Sequence, residues 1–452
     1  MGLEPAAIFP ICREGIAIAA ASGEQGQQDV AALVVPELGS GVELIGEYQG
    51  SGYQDPPYLA RRADGQIVQL SRLLYLVATR LDGQRTYEQL ATDLAAEYGR
   101  DITAEQVRFL VDERLRPAGM VAATGPEHPA PLVRAKPDRL LALRFRIALV
   151  PERAVAQIAK IFQPLYWPPV VIIALAGLVL GDAWLLAHGV SGEVVASAQA
   201  LINQPSQTLL VLGVLFVAGI FHECGHVAAC RYGGAKPGAM GVGIYLVWPA
   251  MYSTVTDAYR LSRGGRLRTD LGGVYFNALS LIIMLVAYAQ TEQPWMLVTI
   301  LAWHAATVWQ FLPSIRLDGY YILSDLVGVP DLFDRMVPTL RSLLPGREMD
   351  PRVRELKPWA RRVIALWVVL VIPCLAYWVI AFLLLAPRVL PAVWQSLVQL
   401  GHGVAQAGDP AAVAVGIIQI LLLLLPWLGV ALIVTGLVRG LVRWARRFRA
   451  AR

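Results

Sequence analysis

The chain has 452 residues, of which 56% are hydrophobic and only 16% charged, and its mean hydropathy is +0.50. Those values exclude an ordinary soluble globular protein and point to a membrane protein. The net charge is +5. The four cysteines, Cys12, Cys224, Cys230 and Cys374, follow neither zinc-knuckle nor CxxC spacing, which excludes a disulfide framework and a cysteine-rich metal site and leaves free thiols.

The opening stretch MGLEPAAIFPICREGIAIAAASG lacks a basic region followed by a long apolar core, so no signal peptide is expected and the N-terminus is placed in the cytosol. Residues 1–45 read as a loosely ordered lead. From residue 46 the pattern sharpens. YLARRADGQIVQLS alternates around Asp64-Gly65, a strong hairpin signal. Ser71 caps a helical spacing of Leu73, Leu74, Leu76 and Val77. Two capping boxes follow, Thr86 with Gln89 and Thr103 with Gln106, the first helix being closed by Gly99. A hairpin and three short helices make a small winged-helix-like α+β module over residues 46–125. Its segment EQLATDLAAEYGRDITAEQ is acidic where a DNA-recognition helix is basic, so no nucleic-acid partner is expected. Residues 50–122 resemble the PqqD-like leader-recognition elements of systems that modify ribosomally made peptides. That resemblance implies a leader peptide paired with the strand around Gln66–Leu70, against the helix Val107–Leu115. Residues 126–165 read as a basic amphipathic linker.

Six apolar runs are long enough to cross a bilayer: 167–187, 207–229, 271–290, 295–315, 363–386 and 411–437. With six spans both termini share a side. The inward-facing segments 130–165, 230–270, 315–362 and 439–452 hold 28 lysines and arginines, and the outward-facing ones hold one, Arg388. By the positive-inside rule the termini, including a basic tail at 441–452, are cytosolic, and the charge reflects orientation and contact with membrane lipid.

The second run ends in FHECGHVAACRYGG. HExxH on a helix puts His222 and His226 one turn apart on one face, as two zinc ligands, with Glu223 beside them as a base for water. Ionisable groups at membrane depth are costly and mark function. Cys224 lies about 200° around the helix from the histidines and is expected to pack away from the metal. Two histidines leave zinc one protein ligand short. Asp318 in LPSIRLDGYYILSDL, Asp257 in STVTDAYR and His304 are the groups to weigh.

The order of HExxH, Gly273 to Asn277 as GxxxN, and Leu317-Asp318-Gly319 as LDG resembles the site-2 protease family of intramembrane zinc metalloproteases. GVGIYLVWPAMYSTVTDAYRL and LDGYYILSDLVGVP are most like its peptide zinc metalloprotease branch. The resemblance covers about residues 160–440. It implies Asp318 as third ligand and Asn277 as the donor to the oxyanion. The chain departs from the branch at Leu312-Pro313, where an Asn-Pro pair is usual, and at Val274, where a proline often stands.

The expected architecture is therefore mainly α: a polytopic membrane protein of about six transmembrane helices, with the protease domain at 166–440. The expected activity is a Zn2+-dependent endopeptidase acting on a ribosomally made or membrane-associated peptide that the N-terminal module recruits. GVGIYLVWPAMYSTV, with Tyr245 and Val247, is expected to offer a strand edge to an unwound substrate near Gly273. Two other readings are regulated proteolysis of a membrane-anchored signalling protein and a non-catalytic partner of a peptide exporter.

Overall fold

The computed structural model describes residues 9–10, 35–122, 143–188, 193–202, 204–245 and 248–450. Cys12, Val247, most of the 1–45 lead and the first part of the linker lie outside the described residues.

The N-terminal α+β unit holds the expected hairpin. Strands β3 (Tyr58–Arg61) and β4 (Ile67–Leu70) pair antiparallel, with Gly65 at φ 82° in the turn between them. Strand β2 (Glu43–Glu47) pairs with the far side of β3, and β1 (Phe9–Pro10) pairs in parallel with β4, in the order β1-β4-β3-β2. Helices α1 (Arg72–Ala78), α2 (Tyr87–Tyr98) and α3 (Ala104–Leu110) start at Ser71, Thr86 and Thr103, and both capping boxes are formed. A π-helical turn at Val111–Leu115 extends α3. The unit begins before residue 46, since Leu38 bridges to Val121 and β2 starts at Glu43.

All four residues of β4 are buried, although the hairpin sequence alternates. The reason is that both faces of the sheet are covered. Ala60, Val68 and Leu70 pack on the unit's own helices. Leu59 and Ile67 pack with Tyr48 and Tyr259 on the side of the membrane part. On that face Arg61 and Arg260 enclose Asp257 and Glu43: Arg61 reaches Asp257 at 3.3 Å and Glu43 at 2.6 Å, and Arg260 reaches them at 3.0 and 2.7 Å. The hydrogen bond from Arg260, against some burial, holds Glu43 below the usual carboxylate range.

The segment read as a linker contains structure. Strand β5 (Leu143–Val150) joins β6 (Met240–Tyr245) and β7 (Trp248–Ser253) in an antiparallel sheet ordered β5-β6-β7. Helix α4 (Glu152–Phe162) is amphipathic, burying Val155 and Ala159 against the core of the helical part and exposing Glu152, Arg153 and Lys160.

The remainder is helical: α5 (Pro168–Ala187), α6 (Val194–Ile202), α7 (Pro205–Tyr232), α8 (Arg263–Asp270), α9 (Gly272–Thr291), α10 (Pro294–Gln310), α11 (Asp318–Val327), α12 (Phe333–Leu343), α13 (Pro351–Arg354), α14 (Pro358–Gln406) and α15 (Pro410–Ala450). Five of these, α5, α7, α9, α14 and α15, are long and apolar enough to cross a membrane. Of the six expected spans, the fourth is cut short. Helix α10 has 17 residues and ends at Gln310, before Leu312-Pro313, where the proline restricts the preceding residue away from helix. At 1.5 Å per residue it measures about 25 Å, somewhat less than a hydrocarbon core of about 30 Å. The expected outward loop after residue 387 is also corrected: α14 continues through Pro387 and Pro391 to Gln406.

The topology has a direct check. With Cys12 and Cys374 replaced by serine, a membrane-impermeant maleimide should label Lys236→Cys and Arg347→Cys from one side and Gln293→Cys from the other. Labelling of Arg347→Cys from the side of Gln293→Cys would mean that α10 does not cross.

Candidate active site

Three elements meet at the HExxH motif. Helix α7 carries His222, Glu223 and His226, α9 carries Gly273 and Asn277, and α11 begins with Asp318. His222 Nε2 lies 3.1 Å from His226 Nε2 and 3.2 Å from Asp318 Oδ2, and His226 Nε2 lies 3.7 Å from Asp318 Oδ1. The three side chains are buried, with ligand atoms all within 4.8 Å of one another. Among the described residues they form the one group of three or more metal-ligand side chains. Each imidazole faces the centre through Nε2 because Nδ1 is held from behind. His222 Nδ1 donates to Asn277 Oδ1 at 3.0 Å, and His226 Nδ1 donates to the Thr269 carbonyl at 2.8 Å. A proton fixed on Nδ1 leaves the Nε2 lone pair for a metal.

The residues fit a metal ion on two further grounds. Both carboxylate oxygens of Glu223 and of Asp318 are buried without a hydrogen-bond donor among the described residues, which is costly for carboxylates unless a cation or water serves them. Space is reserved as well. A Cβ on Gly273 would stand 2.4 Å from the Nε2 atoms of His222 and His226, so any side chain there would fill the metal position.

The approach of α9 to α7 rests on two more glycines. A Cβ on Gly225 would lie 2.2 Å from the Gly272 carbonyl oxygen, and one on Gly272 would lie 2.7 Å from that of Gly225. The Tyr166 hydroxyl sits over this crossing, 2.8 Å from the Gly225 oxygen and 3.2 Å from the Gly272 oxygen. Phe221 and Phe276 pack beside it with ring centroids 4.5 Å apart, among the aromatic residues that line this side.

His222, Glu223, His226, Gly273, Asn277 and Asp318 are thus brought together. Asn277 has a different task from the one the resemblance implies. Its oxygen accepts from His222, and its Nδ2 donates to Thr307 at 3.1 Å and to Gln310 at 2.8 Å. Both N–H groups are engaged, so the geometry makes it an orienting partner of His222 in place of an oxyanion donor. Reversing the amide would put a donor against His222 Nδ1 and move the imidazole proton to Nε2, closing the ligand position. Asp257 is not at the metal group; it accepts from Lys236 N, Arg61 and Arg260. His304 pairs with Asp182 on α5 at 3.3 Å. Cys224 packs in the apolar core.

Tyr245 lies in β6, the central strand, opposite Leu143 on one side and Trp248 on the other, so within the stretch expected to offer an edge it is β7 that lies outermost among the described residues. Among the described residues the outer edges of this sheet belong to β5 and β7.

Thr269, Thr307, Gln310 and Tyr166 escaped the sequence reading. Thr269 acts through its carbonyl, for which no side-chain signal exists. Gly225 and the Gly272-Gly273 pair were visible as small residues inside the motifs. Beside Thr269, burial first, and then the neighbouring Asp325 carboxylate, raises Asp270 well above the usual carboxylate range.

No family model matches the chain, and no solved structure matches it. Over 117 residues it is 24% identical to a protein of Bacillus subtilis (strain 168) named "Putative peptide zinc metalloprotease protein YydH". The match covers 25% of this chain and 46% of that protein, so the chain spans about half the length of the curated relative it matches. The buried His222, His226 and Asp318 group could hold a metal ion.

Metal analysis tests the assignment. The purified protein should hold about one zinc per chain, and His222→Ala, His226→Ala or Asp318→Ala should remove most of it. Gly273→Ala should do the same with every ligand intact, because its methyl group occupies the centre. Asp257→Ala should keep its zinc, and loss of metal in that variant alone would overturn the ligand set.

Proposed function

We propose that the chain is a membrane-embedded zinc endopeptidase of the site-2 type, hydrolysing a peptide bond of a ribosomally made or membrane-associated peptide. The observation that carries this reading is the convergence of His222, His226 and Asp318 beside a buried Glu223 carboxylate that has no partner. A structural metal site needs no such base.

Zinc held by His222, His226 and Asp318 would supply Lewis acidity to the scissile carbonyl and lower the pKa of water at the site. Glu223 accepts the proton of the attacking water on a carboxylate oxygen and returns it to the departing amine. Asn277 and the Thr269 carbonyl keep both imidazoles in the tautomer that faces the centre. The clearance at Gly273 admits the reacting groups. A helical substrate hides its carbonyls in i to i−4 bonds, so it must unwind before attack. The outer edges at β5 and β7 are where an extended segment would pair.

The N-terminal unit favours a recruited peptide over a membrane-anchored signalling protein. It is read as a PqqD-like winged-helix module. Its strand β4 already accepts an extended segment, Phe9–Pro10, opposite Val68 and Gln69, so that edge is competent for backbone pairing. A leader peptide would take this place by displacing the chain's own residues.

Glu223→Gln keeps the size of the side chain but cannot accept a proton. It should retain zinc and bind substrate while cleaving at least about 10²-fold more slowly, the scale of general-base loss. Undiminished cleavage by this variant would remove the mechanism.

A further inference from the structure

The loop between β2 and β3, Tyr48–Pro57, leaves the N-terminal unit and enters the membrane part. Its backbone is bound along its length. Gly52 N donates to the Gly328 carbonyl at 3.0 Å, Lys357 N donates to the Gly52 carbonyl at 2.8 Å, and Gln54 N donates to that of Glu355 at 2.8 Å. A Cβ on Gly52 would stand 2.3 Å from the Val327 carbonyl oxygen, so the fit admits no side chain there.

At the head of the loop Tyr48 is fully buried. Its hydroxyl donates to Asp325 Oδ1 at 3.1 Å, and its ring lies 4.3 Å from the Arg266 guanidinium. Arg266 is itself 1% exposed and donates to Asp325 Oδ1 at 3.0 Å and to the Gln49 carbonyl at 3.0 Å. A charge buried this far depends on all its partners, and loss of one leaves the rest uncompensated. Of the two helices gripped, α11 carries one member of the metal group and α8 holds another in place. Asp325 stands on α11 two turns beyond Asp318, on the same face, and Arg266 stands on α8 one turn before Thr269, whose carbonyl holds His226.

We infer that Tyr48 is a positioning residue for the hydrolytic site, and that the N-terminal unit must be seated on α8 and α11 for the metal ligands to take their working geometry. This rests on the proposed metal site and goes beyond it. It couples peptide capture to hydrolysis, because β2 and β3, which frame the loop, belong to the same sheet as β4.

The test uses the full-length protein in nanodiscs, stripped and reloaded with Co2+ alone. The readouts are affinity by chelator competition and the visible d–d spectrum, both independent of peptidase activity. Tyr48→Phe keeps the ring under Arg266 and removes one hydrogen bond to a charged group. It should weaken metal binding about tenfold and shift the cobalt bands. Tyr53→Phe is the control: its hydroxyl, at the other end of the loop, meets Arg335 on α12 at 3.1 Å, away from the metal helices. It should leave affinity and spectrum at wild-type values. Wild-type values in both folded Tyr48→Phe and folded Tyr48→Ala would overturn the inference, as would an equal effect of Tyr53→Phe or a wild-type protein that takes up no cobalt. If Tyr48→Phe behaves as expected in a protein that cleaves no peptide, the inference stands and the proposed activity falls.

Discussion

The close crossing of α7 and α9 at Gly225 and Gly272 is the constraint on which the rest depends. A glycine-to-glycine contact lets two backbones approach within carbonyl distance, and that approach brings Gly273 under the two imidazoles and Asn277 behind one of them. In an apolar surrounding two histidines, a glutamate and an aspartate are expensive to bury. The structure offsets this by fixing each Nδ1 on a carbonyl or amide oxygen and directing the remaining lone pairs at one point. The helices thus bring three ligand side chains to one position that could hold a cation.

Around this centre the elements serve as supports. Helix α10 is short for a span, and its C-terminal turn places Thr307 and Gln310 against Asn277. The backbone then turns at once into α11, so Asp318 emerges beside the histidines without a long connection. Tyr166, from the turn after α4, bonds the two helix carbonyls at the crossing. The segment that reads as a linker therefore leads directly into Tyr166 at one end and, through β5, occupies an edge of the β6–β7 hairpin at the other.

The N-terminal unit is an integral part of this assembly. One face of its sheet is apolar toward its own helices, and the other presents Leu59, Ile67 and Arg61 to the membrane part. Asp257 is buried between Arg61 and Arg260 as part of that seam. Its burial and its charge, which made it a rival for the metal, come from joining two parts of the chain.

Much of the local structure was legible in residues and spacing. The Asp64-Gly65 hairpin, the two capping boxes, the HExxH face and the long apolar runs are short-range features, set by backbone geometry and hydrophobic period within about ten residues. The ligand set was legible only with the help of a family order, because Asp318 and His222 are far apart in the chain and no periodicity relates them. What only the tertiary structure decided were the contacts that depend on backbone atoms and on partners from other elements. These are the Thr269 carbonyl on His226, the orientation of the Asn277 amide, the pairing of β6 on both edges and the seating of Tyr48 against Arg266 and Asp325. Residue type states what a side chain can do; which of its atoms is engaged follows from the helices that converge on it.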